Sequence, residues 1–449
     1  MLLISILRGV LRGKAWGAMD DAQKTILDTI DANSERLISF AEDIYQSGEP
    51  GFREFNTAQK FSDEMDALGL ECKKGLAITG VKASLGRKGI NIAAVGELDG
   101  IACPHHEYAN PDNGISHACG HNIQLTALLG SAIALSVPEV AAQLGGNAAF
   151  FAVPSEEFTD LDYKKTLIRQ GKISFGGGKS ELVSIGAFDD INMCITHHLH
   201  MVKTKEDVLL GYNTTNGFIV KQIDIKGKSS HAAIAPEKGI NAINAASLGL
   251  SALAYQRETF RDTDFVRVHA IITKGGDVVN VVPSNVTLEA QVRAKTMSAM
   301  MDASHKTNRS FESGAHALGA RVTIHDLPGY LPILEYPVPK AMIDAGRLLK
   351  DEVSIERANP KVHNSASTDV GDLSHLMPTL GFTTGGFSGD LHSANFEITD
   401  KYKAYILPAK IMALTMYNLL KDDAAEAKQL VSAFPQHLTK QEYLEYLSK

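Results

Sequence analysis

Cysteine is scarce in this chain: Cys72, Cys103, Cys119 and Cys194 are spread over 449 residues. Four are too few for a disulfide framework, and their sparseness points to a reducing compartment, the cytoplasm, where a thiol is free to bind metal or react. Basic clusters are missing as well. No run of Lys or Arg exceeds a pair, and 44 Lys+Arg against 52 Asp+Glu leave a net charge of -8, so nothing here offers nucleic acid an electrostatic footprint. No stretch approaches the ~18 apolar residues of a bilayer span, and a membrane is not expected as a partner. There is no internal repeat or low-complexity tract. A composition of 44% hydrophobic and 21% charged residues is that of a globular protein, which excludes disordered, collagenous and coiled-coil classes.

The amino-terminal piece, residues 1–18, carries Arg8, Arg12 and Lys14 with no acid before Asp20. It reads either as a targeting peptide or as an upstream extension with Met19 the natural start; its apolar run, Leu2 to Leu7, is shorter than a secretory core.

From Asp20 onward, amphipathic helix signals alternate with short β-branched apolar runs, the pattern of an α/β fold with a sheet flanked by helices. Residues 25–46 and 56–68 are expected as helices. Ile92–Leu98, Ala148–Val153, Ile191–Thr196 and Thr379–Thr384 are expected as strands, each followed by polar, metal-capable side chains. Between about Asn213 and Leu327 the order changes to strand, helix, strand, strand, helix, strand, which suits an α+β unit of four strands covered by two helices. We expect this unit, 213–327, to be inserted in a discontinuous catalytic domain made of 20–212 and 328–449.

The densest chemical signal is His117-Ala118-Cys119-Gly120-His121-Asn122, ahead of an apolar helix over Ile123–Ser136. In extended backbone Cys119 and His121 would project to one side. A helix capped by Asn122 would place the thiol in a positive field that favours thiolate. Thiolate plus imidazole suits zinc or a neighbouring transition metal. The plainer alternative is a strand-end cysteine packed as a small hydrophobe beside an exposed histidine. Pro154-Ser155-Glu156-Glu157 and His197-His198-Leu199-His200 follow the next two strands, and would singly read as solvated surface groups. Ligands of open α/β sheets collect beyond the carboxyl ends of strands, and four such ends supplying Cys/His, Glu/Glu, His and finally His392 hold more donors than one tetrahedral ion needs. We therefore expect a two-metal site, with one glutamate as ligand and its neighbour as the base for an attacking water.

The segments Glu97-Leu98-Asp99-Gly100-Ile101, His117–Asn122, Pro154–Glu157, Gly227-Lys228-Ser229-Ser230-His231-Ala232-Ala233, Asn280-Val281-Val282-Pro283, Ser367-Thr368-Asp369 and His392-Ser393-Ala394-Asn395-Phe396 resemble, in combination and order, the co-catalytic metallopeptidases of the aminoacylase and carboxypeptidase G clan. The His-Ala-Cys-Gly-His form is similar to its amidohydrolase branch: hippurate hydrolase, indole-acetyl-amino-acid hydrolase and the aminobenzoyl-glutamate hydrolase subunits. The resemblance spans about Glu49 to Phe396. It implies Cys119, His121, Glu157, His198 and His392 as ligands of two divalent ions, zinc or manganese, with His200 the fallback for His198, and Glu156 as general base. It implies that the inserted unit is a lid and dimerisation domain, that His231 reaches across a homodimer to steady the oxyanion, and that Asn280 and Arg293 hold the substrate carboxylate. An isolated Arg293 reads equally as a solvated or salt-bridged side chain. The activity implied is hydrolysis of the amide of an N-acyl or N-aroyl amino acid or a dipeptide.

Two departures stand out. Many members of the branch have Asp and, two positions on, His where this chain has Asn122 and Gln124. The stretch Ala102–Pro111 is longer than the usual short link, a length closer to the aminobenzoyl-glutamate hydrolase subunits, and its His105 and His106 are expected in a mobile loop. Two other classes compete with the metallohydrolase: a cysteine-nucleophile hydrolase built on Cys119 and His121, which would leave the later histidines idle, and a non-catalytic binding relative of the same fold.

Overall fold

The computed structural model describes residues 19–86 and 89–448; the amino-terminal segment weighed above as a targeting peptide lies outside them. The larger sheet has eight strands, in the order Glu71–Leu76, Gly80–Gly86, Asn147–Val153, Asn91–Glu97, Met193–Leu199, Thr379–Thr384, Val208–Leu210 and Ile355–Arg357. The four central ones are mutually parallel, whereas Gly80–Gly86 and Val208–Leu210 flank them antiparallel. Parallel strands covered on both faces need continuous apolar sequence rather than alternation. Asn91–Glu97 is buried throughout, and Asn147–Val153 from its second residue on.

Helices Asp21–Ala32, Ser34–Tyr45, His121–Leu135 and Leu407–Ala433 pack on one face in the largest apolar cluster. All fifteen residues of His121–Leu135 are buried, as a helix apolar on every side requires. The other face carries a second cluster, which includes Leu182, Leu373 and Tyr443. From Asn91–Glu97 the chain passes to a neighbour on one side, Asn147–Val153, and then to one on the other, Met193–Leu199. The carboxyl ends of these strands therefore diverge around a crevice, where α/β sheets place ligands.

Two local expectations change. The helix expected over 25–46 is two helices, because Asn33 leaves helical geometry at φ -103 and ψ 10 and its side-chain amide donates to the Thr29 carbonyl at 2.9 Å. The third strand runs Met193–Leu199 rather than ending at Thr196, so two of the histidines belong to the strand itself.

The smaller sheet has the order Arg267–Lys274, Asn285–Ala294, Gly217–Lys226, Arg321–Pro328, all antiparallel. Helices Ala242–Gln256 and Met297–Ala317 lie on one face over Ile223, Val286 and Leu288, with Phe311 of the second helix in the same cluster. They meet at Gly249 and Gly314, where a Cβ on Gly314 would stand 2.6 Å from the Gly249 amide nitrogen. Arg267–Lys274 is an edge strand with Ile271 and Ile272 exposed. Among the described residues no helix is long and apolar enough to cross a membrane, and all four cysteines are free.

Candidate metal centre

Cys119 sits in a turn and His121 opens the helix His121–Leu135. The expected extended backbone and Asn122 cap are replaced by Gly120, which takes the N-cap position at φ 82. Asn122 lies in the first turn, buried, with its amide on the Ala41 carbonyl at 3.3 Å. Gly120 is needed twice over: the left-handed backbone disfavours a side chain, and a Cβ would stand 2.7 Å from Leu199 Cδ1. Gly120→Ala is expected to cost about 2–4 kcal/mol of stability, read as a lower chemical-denaturation midpoint; an unchanged midpoint would show that the turn can relax.

His121 Nδ1 lies 2.7 Å from the Asp99 carbonyl, so it carries the proton and leaves the Nε2 lone pair for the crevice. That Nε2 stands 3.0 Å from Glu97 Oε2, yet it is buried without an aligned hydrogen bond. His198 repeats the arrangement: Nδ1 is 3.0 Å from the Leu199 carbonyl and Nε2 is 3.5 Å from Cys119 Sγ. On the opposite side of the sulfur, His392 Nε2 lies 3.1 Å from Sγ and 3.3 Å from Glu157 Oε1. Cys119 Sγ thus belongs to two donor groups, Cys119–His121–His198 and Cys119–Glu157–His392, each with its atoms within 4.8 Å of one another. A third such group is Glu97–His121–Glu156.

Strand alternation sorts the histidines. Successive residues of Met193–Leu199 face opposite sides. His197 points into the core against Phe382, with Nε2 2.8 Å from Thr384 Oγ1, and burial holds it well below the usual histidine range. His198 points at the sulfur. His200 lines the crevice, but both its nitrogens are engaged, Nδ1 by Thr383 Oγ1 at 2.8 Å and Nε2 by the Glu206 carbonyl at 3.1 Å.

The two glutamates are held by their backbone. Asp99 accepts from the Glu156 and Glu157 amides at 3.0 and 2.9 Å, the Tyr330 hydroxyl donates to the Glu156 carbonyl, and the Lys164 ammonium donates to the Glu157 carbonyl at 2.9 Å. Ser155 before them and His392 across the crevice both adopt left-handed backbone, at φ 50 and 61, the kind of strain that persists where the surroundings enforce it. Behind the crevice lies a buried charge network: Glu97 accepts from Lys179 at 2.7 Å and from Gln124 at 2.8 Å, and Lys179 also pairs with Asp369.

Burial disfavours the Cys119 thiolate, but His121 and His198 outweigh it and hold the thiol well below its ordinary value. Burial, then Glu97, Glu157 and Asp369, push Glu156 well above the usual carboxylate range. Burial and Cys119 raise Glu157 as well. A thiolate, two carboxylates and three imidazoles packed this closely form a site that cations neutralise. The buried Nε2 of His121 and Oε1 of Glu157, without aligned hydrogen bonds, have the free lone pairs that ligation uses. The residues present fit a pair of borderline-soft divalent ions.

A cavity of about 760 Å³ opens onto Cys119, Glu156, Glu157, His198 and His392, with Ser367 and Phe387 also in its wall. Arg293 reaches this rim from the smaller sheet: Nη1 donates to Ser367 Oγ at 3.1 Å, while Nε and Nη2 hold Gln291 Oε1. His231 and Asn280 are not brought to the cavity of their own chain. They lie exposed and side by side, the Ala232 amide donating to the Asn280 carbonyl at 3.0 Å and His231 pairing with Val281.

Sequence reasoning passed over Lys179 and Tyr330, and gave no role to Glu97, Asp99 and Asp369 although it quoted their segments. It also placed His106 in a mobile loop. Instead His106 is buried, its Nε2 2.9 Å from the Phe396 carbonyl and 3.2 Å from the Tyr45 hydroxyl, its Nδ1 accepting from the Tyr108 amide. It pins the segment that carries His392. His105 is exposed.

A mixed α/β sheet that gathers soft and imidazole donors at its carboxyl edge, joined to a four-stranded two-helix unit, is the plan of the metallohydrolases that the sequence resembles. The comparisons agree. Residues 213–316 match the model of the M20 peptidase dimerisation domain. Its homologues include the human Xaa-Arg dipeptidase, 31% identical over 271 residues, a match that spans 60% of this chain and 56% of the relative. They also include one of the p-aminobenzoyl-glutamate hydrolase subunits of Escherichia coli, 25% identical across 93% of this chain and 97% of the relative. A dinuclear metal-binding peptidase of the M20 family from Bacillus subtilis shares the fold with a TM-score of 0.63, at 20% identity, over 86% of this chain and 98% of that one.

Proposed function

We propose that the protein hydrolyses the amide bond of an N-acyl or N-aroyl amino acid or a dipeptide, aminobenzoyl-glutamate-like substrates included, at a site where Cys119, His121, Glu157, His198 and His392 hold two divalent ions. The observation that carries this reading is the single sulfur shared by two donor groups. Zinc or manganese bound there would polarise the scissile carbonyl and acidify water. The remaining work belongs to the chain. Glu156, buried at the cavity and fixed through its backbone by Asp99 and Tyr330, takes the proton of the attacking water and returns it to the leaving amine. Its raised affinity for protons suits the second half of that exchange.

The free carboxylate of the substrate is held by Arg293 at the rim. Arg293→Ala is expected to raise KM by about 10–100-fold for such substrates and to leave their carboxyl-amidated analogues unchanged. An equal effect on both would remove Arg293 from carboxylate recognition.

We place His231 and Asn280 at the partner's cavity in a homodimer formed through the inserted unit, with His231 steadying the oxyanion. The exposed edge strand Arg267–Lys274 and the exposed Leu248 and Tyr255 of the neighbouring helix offer the contact. Mixing two inactive variants, Glu156→Gln and His231→Ala, under conditions of subunit exchange should restore turnover, because hybrid dimers contain one site with both groups intact. No recovery in verified hybrids would place His231 in its own subunit's site or outside catalysis. A cytoplasmic setting suits the four free thiols. Against a cysteine nucleophile stands the setting of the sulfur, which has two imidazoles, His198 and His392, at 3.5 and 3.1 Å rather than a single base.

A further inference from the structure

A second cavity, of about 310 Å³, lies where the segment 158–176, the strand end at Leu327 and Pro328, and the helix end at Leu447 come together. Its walls are apolar: Phe158, Leu161, Ile168, Phe175, Leu327 and Leu447. Two lysines line it and, among the described residues, no acidic side chain does. Lys165 is occupied, donating to Gln222 Oε1 of the smaller sheet at 3.0 Å. Lys164 is the unusual one.

Lys164 is 3% exposed. An ammonium carries three donors, yet the hydrogen bond made by this one is to the Glu157 carbonyl at 2.9 Å. The rings of Phe158 and Phe52 lie 4.8 and 5.8 Å from it. Among the described residues no carboxylate comes within 4.0 Å. Asp99, Glu54, Glu157 and Asp369 act on it from beyond ion-pair distance, so the buried ammonium has negative charge nearby but no paired counter-ion, and Lys164 lines a cavity with room for an anion. The volume is at the small end of ligand pockets, and such pockets favour the seams between domains.

We propose that this cavity is a second binding site, separate from the metal centre, for a small carboxylate with an apolar body, its carboxylate on Lys164 and its body against Phe158, Phe175 and Leu327. The site stands on its own geometry and does not depend on the activity proposed above. One hydrogen bond, from Lys164 to the Glu157 carbonyl, links it to the loop that carries both glutamates.

The test uses the metal-loaded full chain and para-bromobenzoate, with its neutral amide as control, in calorimetric titrations and in crystals read by bromine anomalous scattering. The expected result is a bromine peak in this cavity. In solution the carboxylate should bind more tightly than the amide, with affinity reduced about tenfold or more by Lys164→Met. Leu161→Trp, which fills the cavity and leaves the ammonium in place, should abolish the same binding event. Should Lys164→Met fail to fold, Leu161→Trp and the amide control decide the matter. A bromine peak confined to the metal centre, or solution binding that neither the tryptophan nor loss of the carboxylate charge weakens, would overturn the proposal.

Discussion

Glu156→Gln is expected to keep its metal and lose about 10²–10⁴-fold in kcat, the usual worth of a positioned acid–base group. The substitution is nearly isosteric, and the groups that hold this residue in place bind its backbone: Asp99 takes the amide and Tyr330 the carbonyl. Glutamine can therefore occupy the same place without disturbing Glu157 beside it. Elemental analysis alongside steady-state kinetics separates the outcomes. Unaltered turnover would remove Glu156 from proton transfer, whereas lost metal together with lost turnover would make it a ligand, as the group Glu97–His121–Glu156 allows.

Cys119→Ala should have the widest effect on metal content. The sulfur takes part in both donor groups that contain it, whereas His392 takes part in one. Cys119→Ala is therefore expected to lower affinity for both ions, by more than the about 100-fold typical of losing a supporting residue. His392→Ala should weaken one ion and spare the other. Metal titration of protein purified without chelator checks the contrast. If the two variants lose the same single equivalent, the sulfur is not shared.

The central strands were legible in the sequence because burial on both faces forces continuous apolar runs, which show in Asn91–Glu97 and Asn147–Val153 without any knowledge of their partners. The donors at their tips were legible for the same reason: a charged or imidazole side chain straight after such a run has to be somewhere near the sheet edge. What escaped was whatever depends on contacts distant in the chain. Lys179 follows three glycines and carries no local signal; its meaning comes from Glu97 and Asp369, 82 and 190 positions away. His106 looked like loop because its neighbours are polar, yet Tyr45 and Phe396 close over it. Gly120 displaced Asn122 as the cap through a steric demand from Leu199, another strand altogether. Gln124, noted only as a departure, proves to bind Glu97 through both ends of its side-chain amide, Nε2 donating to the carboxylate and Oε1 accepting from the backbone amide at 3.1 Å.

The parallel ladder between Met193–Leu199 and Thr379–Thr384 aligns His197 with Phe382 and His198 with Thr383. Side chains alternate along a strand, so a slip of a single residue would exchange every inward group for an outward one. The imidazole now locked against an aromatic ring would then be presented to the sulfur, and its neighbour would be swallowed by the core. Registration of two strands nearly two hundred residues apart thus acts as a selector switch, deciding which of two adjacent, chemically identical side chains is offered to the crevice.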